Sequence, residues 1–244
     1  MSQPLKGKVA IITGAGRGLG RSMAVGFAEA GADVVLAART MDQLEETAEM
    51  VKAAGGRSLI VSTNVAEEDQ ANNLAEKTLA EYGKIDVLIN NAGITSPDSF
   101  LNQTFKRWKL VLSVNLDGMF LCTKAVLPHM LEKKSGMVIN VSSILAHQIR
   151  MNVSYGVTKA GTERFTMGLA REMRKEPGIA ITCLRPYFVK TDVVLGFTEG
   201  HDISDYEELV VWQKYPALLA GAKPEDVTGK IFDKATLEEK FGKI

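Results

Sequence analysis

Six short runs of apolar, largely β-branched residues recur along the chain, and they constrain its fold more than any other feature. They are Val9–Thr13, Asp33–Ala37, Ser58–Ser62, Asp86–Asn90, Met137–Val141 and Ala180–Leu184. Within each run the apolar residues are continuous, without the polar alternation of a half-exposed strand. That is the pattern of parallel strands buried on both faces. Segments with helical periodicity separate them. Residues 19–30 stop at Gly31, 42–54 at Gly55-Gly56 and 67–82 at Gly83, glycine being favoured just past a helix C-terminus. Asp42, with Glu45 three residues on, is placed to cap the second helix. Longer helices are expected over 105–133, broken near Val114, and over 154–176, where Pro177-Gly178 ends the pattern. A strand–helix–strand repeat of this kind builds a doubly wound α/β sheet with helices on both faces.

No linker, low-complexity stretch or composition shift divides the 244 residues, so 1–244 reads as one Rossmann-type domain. The region 190–222 departs from the repeat. It has no strand pattern and carries Phe197, His201, Tyr206, Trp212 and Tyr215. It is either a lid over the carboxyl edge of the sheet or a surface helical hairpin with aromatic packing. The 29 basic and 29 acidic residues cancel, which argues against bulk attraction to nucleic acid or an anionic membrane. The N-terminus is too polar for a signal peptide, and no apolar run is expected to span a bilayer. Cys122 and Cys183 read as buried thiols of a reducing compartment, so a cytoplasmic location is expected. No metal site is expected.

Two motifs carry chemistry. Gly14-x-x-x-Gly18-x-Gly20 follows the first strand and opens the first helix. Glycines there let the main chain approach a pyrophosphate, and the helix N-terminus supplies N–H donors. The spacing is not the general dinucleotide fingerprint, because Leu19 stands where that pattern has glycine. Further on, Tyr155 and Lys159 are four residues apart, which places them on one helix face. An ammonium beside a phenol favours the phenolate, so such a tyrosine can exchange protons near neutral pH. Alone, the pair would be an ordinary surface Tyr and Lys; after a nucleotide-type loop, the catalytic reading is favoured. The second strand ends Ala37-Ala38-Arg39-Thr40. It lacks the carboxylate that accepts from a ribose 2′-OH in NAD-selective sites. Arg39, and Arg17 within the glycine loop, can instead pair a 2′-phosphate. The alternative is that Arg39 only stacks on adenine.

Taken in order, these motifs resemble the short-chain dehydrogenase/reductase family over about residues 6 to 192. Thr13-Gly-x-x-x-Gly-x-Gly20 looks like its cofactor loop and Asn90-Asn91-Ala92-Gly93 like its structural and cofactor-contacting turn. Asn115, Ser143, Tyr155 and Lys159 look like its catalytic tetrad. The resemblance makes Tyr155 the acid/base for a carbonyl or alcohol oxygen. Lys159 would assist it and bind the nicotinamide ribose, a serine would polarise the substrate oxygen, and Asn115 would hold a relay water. Ser143 is the expected serine, continuing the register of Ile139 and Val141; Ser142 is the alternative. Asn64-Val65 stands where the family usually has Asp-Val against adenine. Pro186-Tyr187-Phe-Val189-Lys-Thr191 resembles the segment beside the nicotinamide carboxamide, with Tyr187 in place of glycine. Lys223 to Val227 resembles the start of the last helix, and Phe241 to Ile244 the start of a seventh strand.

The family reading implies an oxidoreductase that interconverts a ketone and a secondary alcohol, using NADP(H) in preference to NAD(H). A 3-oxoacyl-thioester reductase and a general carbonyl reductase both fit. The competing class is a nucleotide-binding, redox-sensing regulator without turnover. The family's habits also imply a homodimer or homotetramer. His147, Ile149, Val153, Tyr187 and the 190–222 region are expected to line the substrate pocket.

Overall fold

In the computed structural model, residues 3–149, 153–196, 198 and 202–244 are described. Phe197 and His201, named above as part of the excursion, lie outside them. The six apolar runs are strands: β1 (Val9–Thr13), β2 (Asp33–Ala38), β3 (Ser58–Ser62), β4 (Val87–Asn90), β5 (Gly136–Val141) and β6 (Ile179–Leu184). With β7 (Ile231–Phe232) they form one parallel sheet in the order β3-β2-β1-β4-β5-β6-β7. The order reverses between β1 and β4, and in an open sheet that switch point opens a crevice at the carboxyl ends of the strands.

Helices cover both faces. Alternate strand residues feed alternate cores, as a period of two requires. Ala10, Ile12, Leu36 and Ile89 pack with Met23 and Phe27 of α1 (Gly18–Glu29). The same core takes in Leu44 and Val51 of α2 (Met41–Ala53). Ile11, Val35, Leu88 and Val138 join Leu74 of α3 (Glu68–Tyr82) on the other face. Cys122 and Val126 of α5 (Gly118–Glu132) belong there too. The expected cap of α2 does not form. Thr40 is the N-cap residue, without a side-chain bond, and Asp42 lies in the first turn, where its charge faces the positive end of the helix.

The break expected near Val114 is a π-helical turn, Ser113–Asp117, joining α4 (Phe105–Leu112) to α5. The whole helical run Phe105–Glu132 is long and apolar enough to cross a membrane by length and composition, contrary to the expectation from sequence. Half of its most apolar window is buried inside the fold, the pattern of a core helix. Next in the chain comes α6 (Val153–Glu172).

A polar chain is buried between the sheet and these helices. Asn90 Nδ2 donates to Thr123 Oγ1 and to Asn140 Oδ1, both at 2.9 Å. Asn140 Nδ2 reaches Thr166 on α6 at 2.9 Å. Thr166, Thr162 and Thr158 each donate back to the preceding turn of their helix.

The C-terminal third differs from expectation in two ways. Residues 190–222 are neither wholly lid nor surface hairpin. A short helix, α7 (Asp192–Leu195), follows Thr191, and α8 (Leu209–Ala220) packs along α1 inside the core. Trp212 and Tyr215 are fully buried there. The seventh strand is Ile231–Phe232, not Phe241 to Ile244. After the single turn of α9 (Pro224–Val227), β7 pairs with Cys183 and Leu184. Asp233 then caps α10 (Lys234–Phe241) with a capping box to Thr236. Tyr215 Oη donates to the Gly242 carbonyl at 2.7 Å, pinning that end to the core.

Candidate active site

The crevice at the switch point is a cleft of about 730 Å³. Its first wall is main chain. Gly14 adopts φ +66°, and a Cβ there would lie 2.9 Å from Ala92 Cα and from Asn91 Nδ2. At Gly20 a Cβ would come within 2.2 Å of the Gly14 carbonyl oxygen. Both positions therefore exclude any side chain. Thr13 Oγ1 accepts from the amides of Asn91 and Ala92, each at 3.0 Å. Asn91 Nδ2 donates back to the Thr13 carbonyl at 2.9 Å. The Asn90–Gly93 turn and the glycine loop thus brace each other, with Asn91's side chain as the strut.

The expected cofactor-binding residues all line this one cleft: Gly14, Arg17, Gly18, Leu19, Gly20, Arg39, Asn64, Val65, Asn91, Ala92, Gly93, Tyr155, Lys159, Pro186, Val189 and Thr191. The arrangement fits a dinucleotide. A side-chain-free cradle sits at the N-terminus of α1, and Arg17 and Arg39 are exposed at its edge. Among the described residues, no carboxylate lines the cleft. Asn64 Oδ1 is turned to the Ala66 amide at 3.3 Å.

Ser143, Tyr155 and Lys159 line the cleft opposite the loop. Lys159 is buried. Its Nζ donates to the Val141 carbonyl at 2.7 Å and stands 5.3 Å from the centroid of the Tyr155 ring. The two serines part company. Ser142 is buried, and its hydroxyl faces the Lys159 carbonyl at 3.1 Å and Glu163 Oε1 at 3.0 Å. The Ser143 hydroxyl is held more loosely, accepting from the Leu145 amide at 3.3 Å. Asn115 is the exception among the expected site residues, because it does not line the cleft. It is buried in the π turn, where Oδ1 accepts from the Ile94 amide at 2.8 Å. Its Nδ2 donates to the Ile94 carbonyl at 2.9 Å and to Thr158 Oγ1 at 3.0 Å.

Behind Tyr155 and Lys159, Glu163 gathers three donors. Arg185 grips both its oxygens at 2.8 Å, His147 Nε2 lies 2.7 Å from Oε2, and Ser142 completes the set. Burial alone would raise this carboxyl; the donors outweigh it and hold it below the ordinary carboxylate range. His147 is therefore turned away from the cleft, contrary to expectation. Ile149 and Val153 are exposed and do not line it either. Burial pushes both Cys122 and Cys183 up to about 12, as befits inert thiols.

The remaining wall is made of side chains. Tyr187 meets Phe188 edge to face, and Phe188 stacks on Tyr206, each pair 5.1 Å between centroids. Glu207 holds this wall from behind. Its Oε2 accepts from the Tyr187 amide at 3.0 Å and from Trp212 Nε1 at 2.9 Å. Burial raises its carboxyl, and these two donors only partly offset that. Phe188, Val194, Thr198 and Tyr206 also line the cleft, the last three from the 190–222 region expected there. Sequence reasoning missed Thr95, Arg107 and Leu145, since none belongs to a motif.

Residues 8–201 match the short chain dehydrogenase family. A 3-oxoacyl-[acyl-carrier-protein] reductase of Synechocystis sp. is 34% identical over 95% of this chain and 90% of its own length. Two solved structures have the same fold over nearly their whole length. A short-chain type dehydrogenase/reductase from Mycobacterium marinum superposes with a TM-score of 0.87 at 27% identity, covering 95% of this chain and 96% of that one. A protein described as an NAD(P)-dependent gluconate 5-dehydrogenase from Beutenbergia cavernae, with NADP bound at low occupancy, gives 0.84 at 27% identity, covering 96% and 97%.

Proposed function

The chain belongs to the short-chain dehydrogenase family, and from that premise we propose that it is an NADP(H)-dependent oxidoreductase that interconverts a ketone and a secondary alcohol. One observation carries this reading: Ser143, Tyr155 and Lys159 share a cleft with a glycine cradle that admits no side chain. A nicotinamide bound there supplies or accepts the hydride. The chain's own groups handle the oxygen and its proton. Tyr155 gives a proton to the carbonyl oxygen in reduction and takes it back in oxidation. Lys159, buried beside the ring, is the cation that stabilises a phenolate and a donor to a ribose hydroxyl. Ser143 donates to the same substrate oxygen and stabilises charge developing on it. The commitment of Ser142 to Glu163 supports Ser143 in this role. Asn115 Oδ1, bonded once to Ile94, keeps a second lone pair for a relaying water.

The open Arg17 and Arg39, the uncharged Ala38 and the absence, among the described residues, of a lining carboxylate support NADP(H) over NAD(H). The relatives' names favour a 3-oxoacyl-thioester as substrate; a general carbonyl reductase is the second reading. Exposed apolar residues spaced along α4–α5 and α6, including Leu110, Phe120, Val157 and Met167, support a homodimer or homotetramer. Free, buried thiols support a reducing, cytoplasmic location.

The test is NADPH consumption against a ketone panel. Tyr155→Phe should lower turnover by about 10²- to 10⁴-fold while leaving NADPH affinity near wild type. Lys159→Met should weaken both. A wild type that binds NADPH and reduces no ketone would favour the regulator reading. Turnover in Tyr155→Phe within a few-fold of wild type would remove the tyrosine from its role.

A further inference from the structure

Charge in the cleft is one-sided. Among the described residues four cations line it, Arg17, Arg39, Arg107 and Lys159, and no Asp or Glu does. Three of them have uses in the reaction: two face the adenosine end and one stands beside Tyr155. Arg107 has none. It lies on the bank away from the glycine loop, on α4, four residues after Gln103, whose amide donates to Ser154 next to Tyr155 at 2.8 Å. One terminal nitrogen of Arg107 donates to the Thr95 carbonyl. Its Nε is buried and has no hydrogen-bond partner among the described residues. Leu145, Phe188, Val194 and Tyr206 make the rest of the lining apolar or aromatic.

A guanidinium nitrogen buried without an acceptor is costly, and a cation against apolar walls calls for a counter-charge. Arg107 lines the cleft, so a negative group bound there is the counter-charge within reach of its guanidinium. Among the described residues Arg107 is the one cation lining this end, so one negative charge balances it. The planar fork of a guanidinium suits a carboxylate. Resting on the oxidoreductase reading above, we propose that Arg107 recognises a carboxylate on the substrate, which is a small oxo acid or hydroxy acid. The uncharged 3-oxoacyl thioester is then the poorer substrate.

The probes are 2-oxobutanoate, 3-oxobutanoate and 4-oxopentanoate, each beside its methyl ester. Wild type should reduce at least one acid with kcat/KM about ten- to a hundredfold above its ester. Arg107→Gln should abolish that preference through KM for the acid and leave the ester within about twofold. Arg107→Lys should recover part of it. Calorimetric binding of the matching hydroxy acid to the NADP-loaded protein gives a second readout. Tighter binding of acid than ester, lost in Arg107→Gln, supports the site even if no ketone is consumed; in that case the reaction reading fails alone. Equal handling of acid and ester by wild type overturns the proposal. So does a loss in Arg107→Gln that falls equally on both, which would mark a structural role.

Discussion

The two ends of the cleft are made of different material. At the glycine loop the wall is main chain: a Cβ on Gly20 would sit 2.2 Å from a carbonyl oxygen, and Asn91's amide ties the loop to the turn after β4. At the far end the wall is side chains. Tyr187, Phe188 and Tyr206 stack in sequence and Glu207 holds them from behind. A main-chain wall fits a ligand part that never varies and tolerates almost no change. A side-chain wall can be re-cut residue by residue. On the function proposed above, the first end is the cofactor's and the second is where the substrate is distinguished.

The sharpest break of that contrast is Gly20→Val. It should abolish measurable NADPH binding while far-UV circular dichroism stays native; retained binding would mean the cradle is softer than its contacts imply. A smaller effect is expected from side chains at the same end. Ala38→Asp with Arg39→Ala should repel a 2′-phosphate and offer an acceptor to a free 2′-OH. Each contact to the phosphate contributes about 1.5–3 kcal/mol. The ratio of kcat/KM for NADPH and NADH should fall by about one to two powers of ten. A wild type that already prefers NADH would leave Arg39 only stacking on adenine.

At the other end, Glu207→Ala strands two partly buried donors, the Tyr187 amide and Trp212 Nε1. It should cost about 1–3 kcal/mol of stability in urea unfolding and raise KM for ketone while NADPH affinity stays within about twofold. Equal weakening of both would mean that the ends are not independent. The smallest effect concerns acid. The Glu163 carboxyl is held below its ordinary value, so the stability it contributes is present above the unfolded carboxylate range and is lost as pH falls through the folded value. The stability gap between wild type and Glu163→Gln should thus hold from about pH 7 to about pH 5 and narrow below it. A gap that stays constant would contradict the Arg185 pairing.

The main-chain end was readable from sequence and the side-chain end only in part, at Tyr187 and within 190–222. Parallel strands buried on both faces write continuous apolar runs, so β1 to β6 stood out, and glycines that admit no Cβ write a spaced motif. Ile231–Phe232 is two residues long and writes no pattern, so the seventh strand was sought at Phe241, which closes a helix instead. Trp212 and Tyr215 were read as part of a lid or a surface hairpin, whereas α8 carries both into the core, with Pro216 accommodated inside it. His147 and Arg107 could not be placed from sequence. Nothing local tells whether a polar side chain near a site turns into the cleft or toward a buried carboxylate such as Glu163.

The buried asparagine and threonine chain has one more implication. Asn115, Asn140, Thr158 and Thr166 join α6 to the π turn and to β5 through directional bonds. Oil-like contacts would let a helix creep along the sheet by fractions of a turn; these bonds admit a single docking position. The helix that carries Tyr155 and Lys159 is in effect keyed to the sheet, like a bolt in its slot. No loosened intermediate in which the pair drifts while the core survives is expected. On heating, the loss of enzymatic turnover and the melting of the sheet should trace one and the same curve.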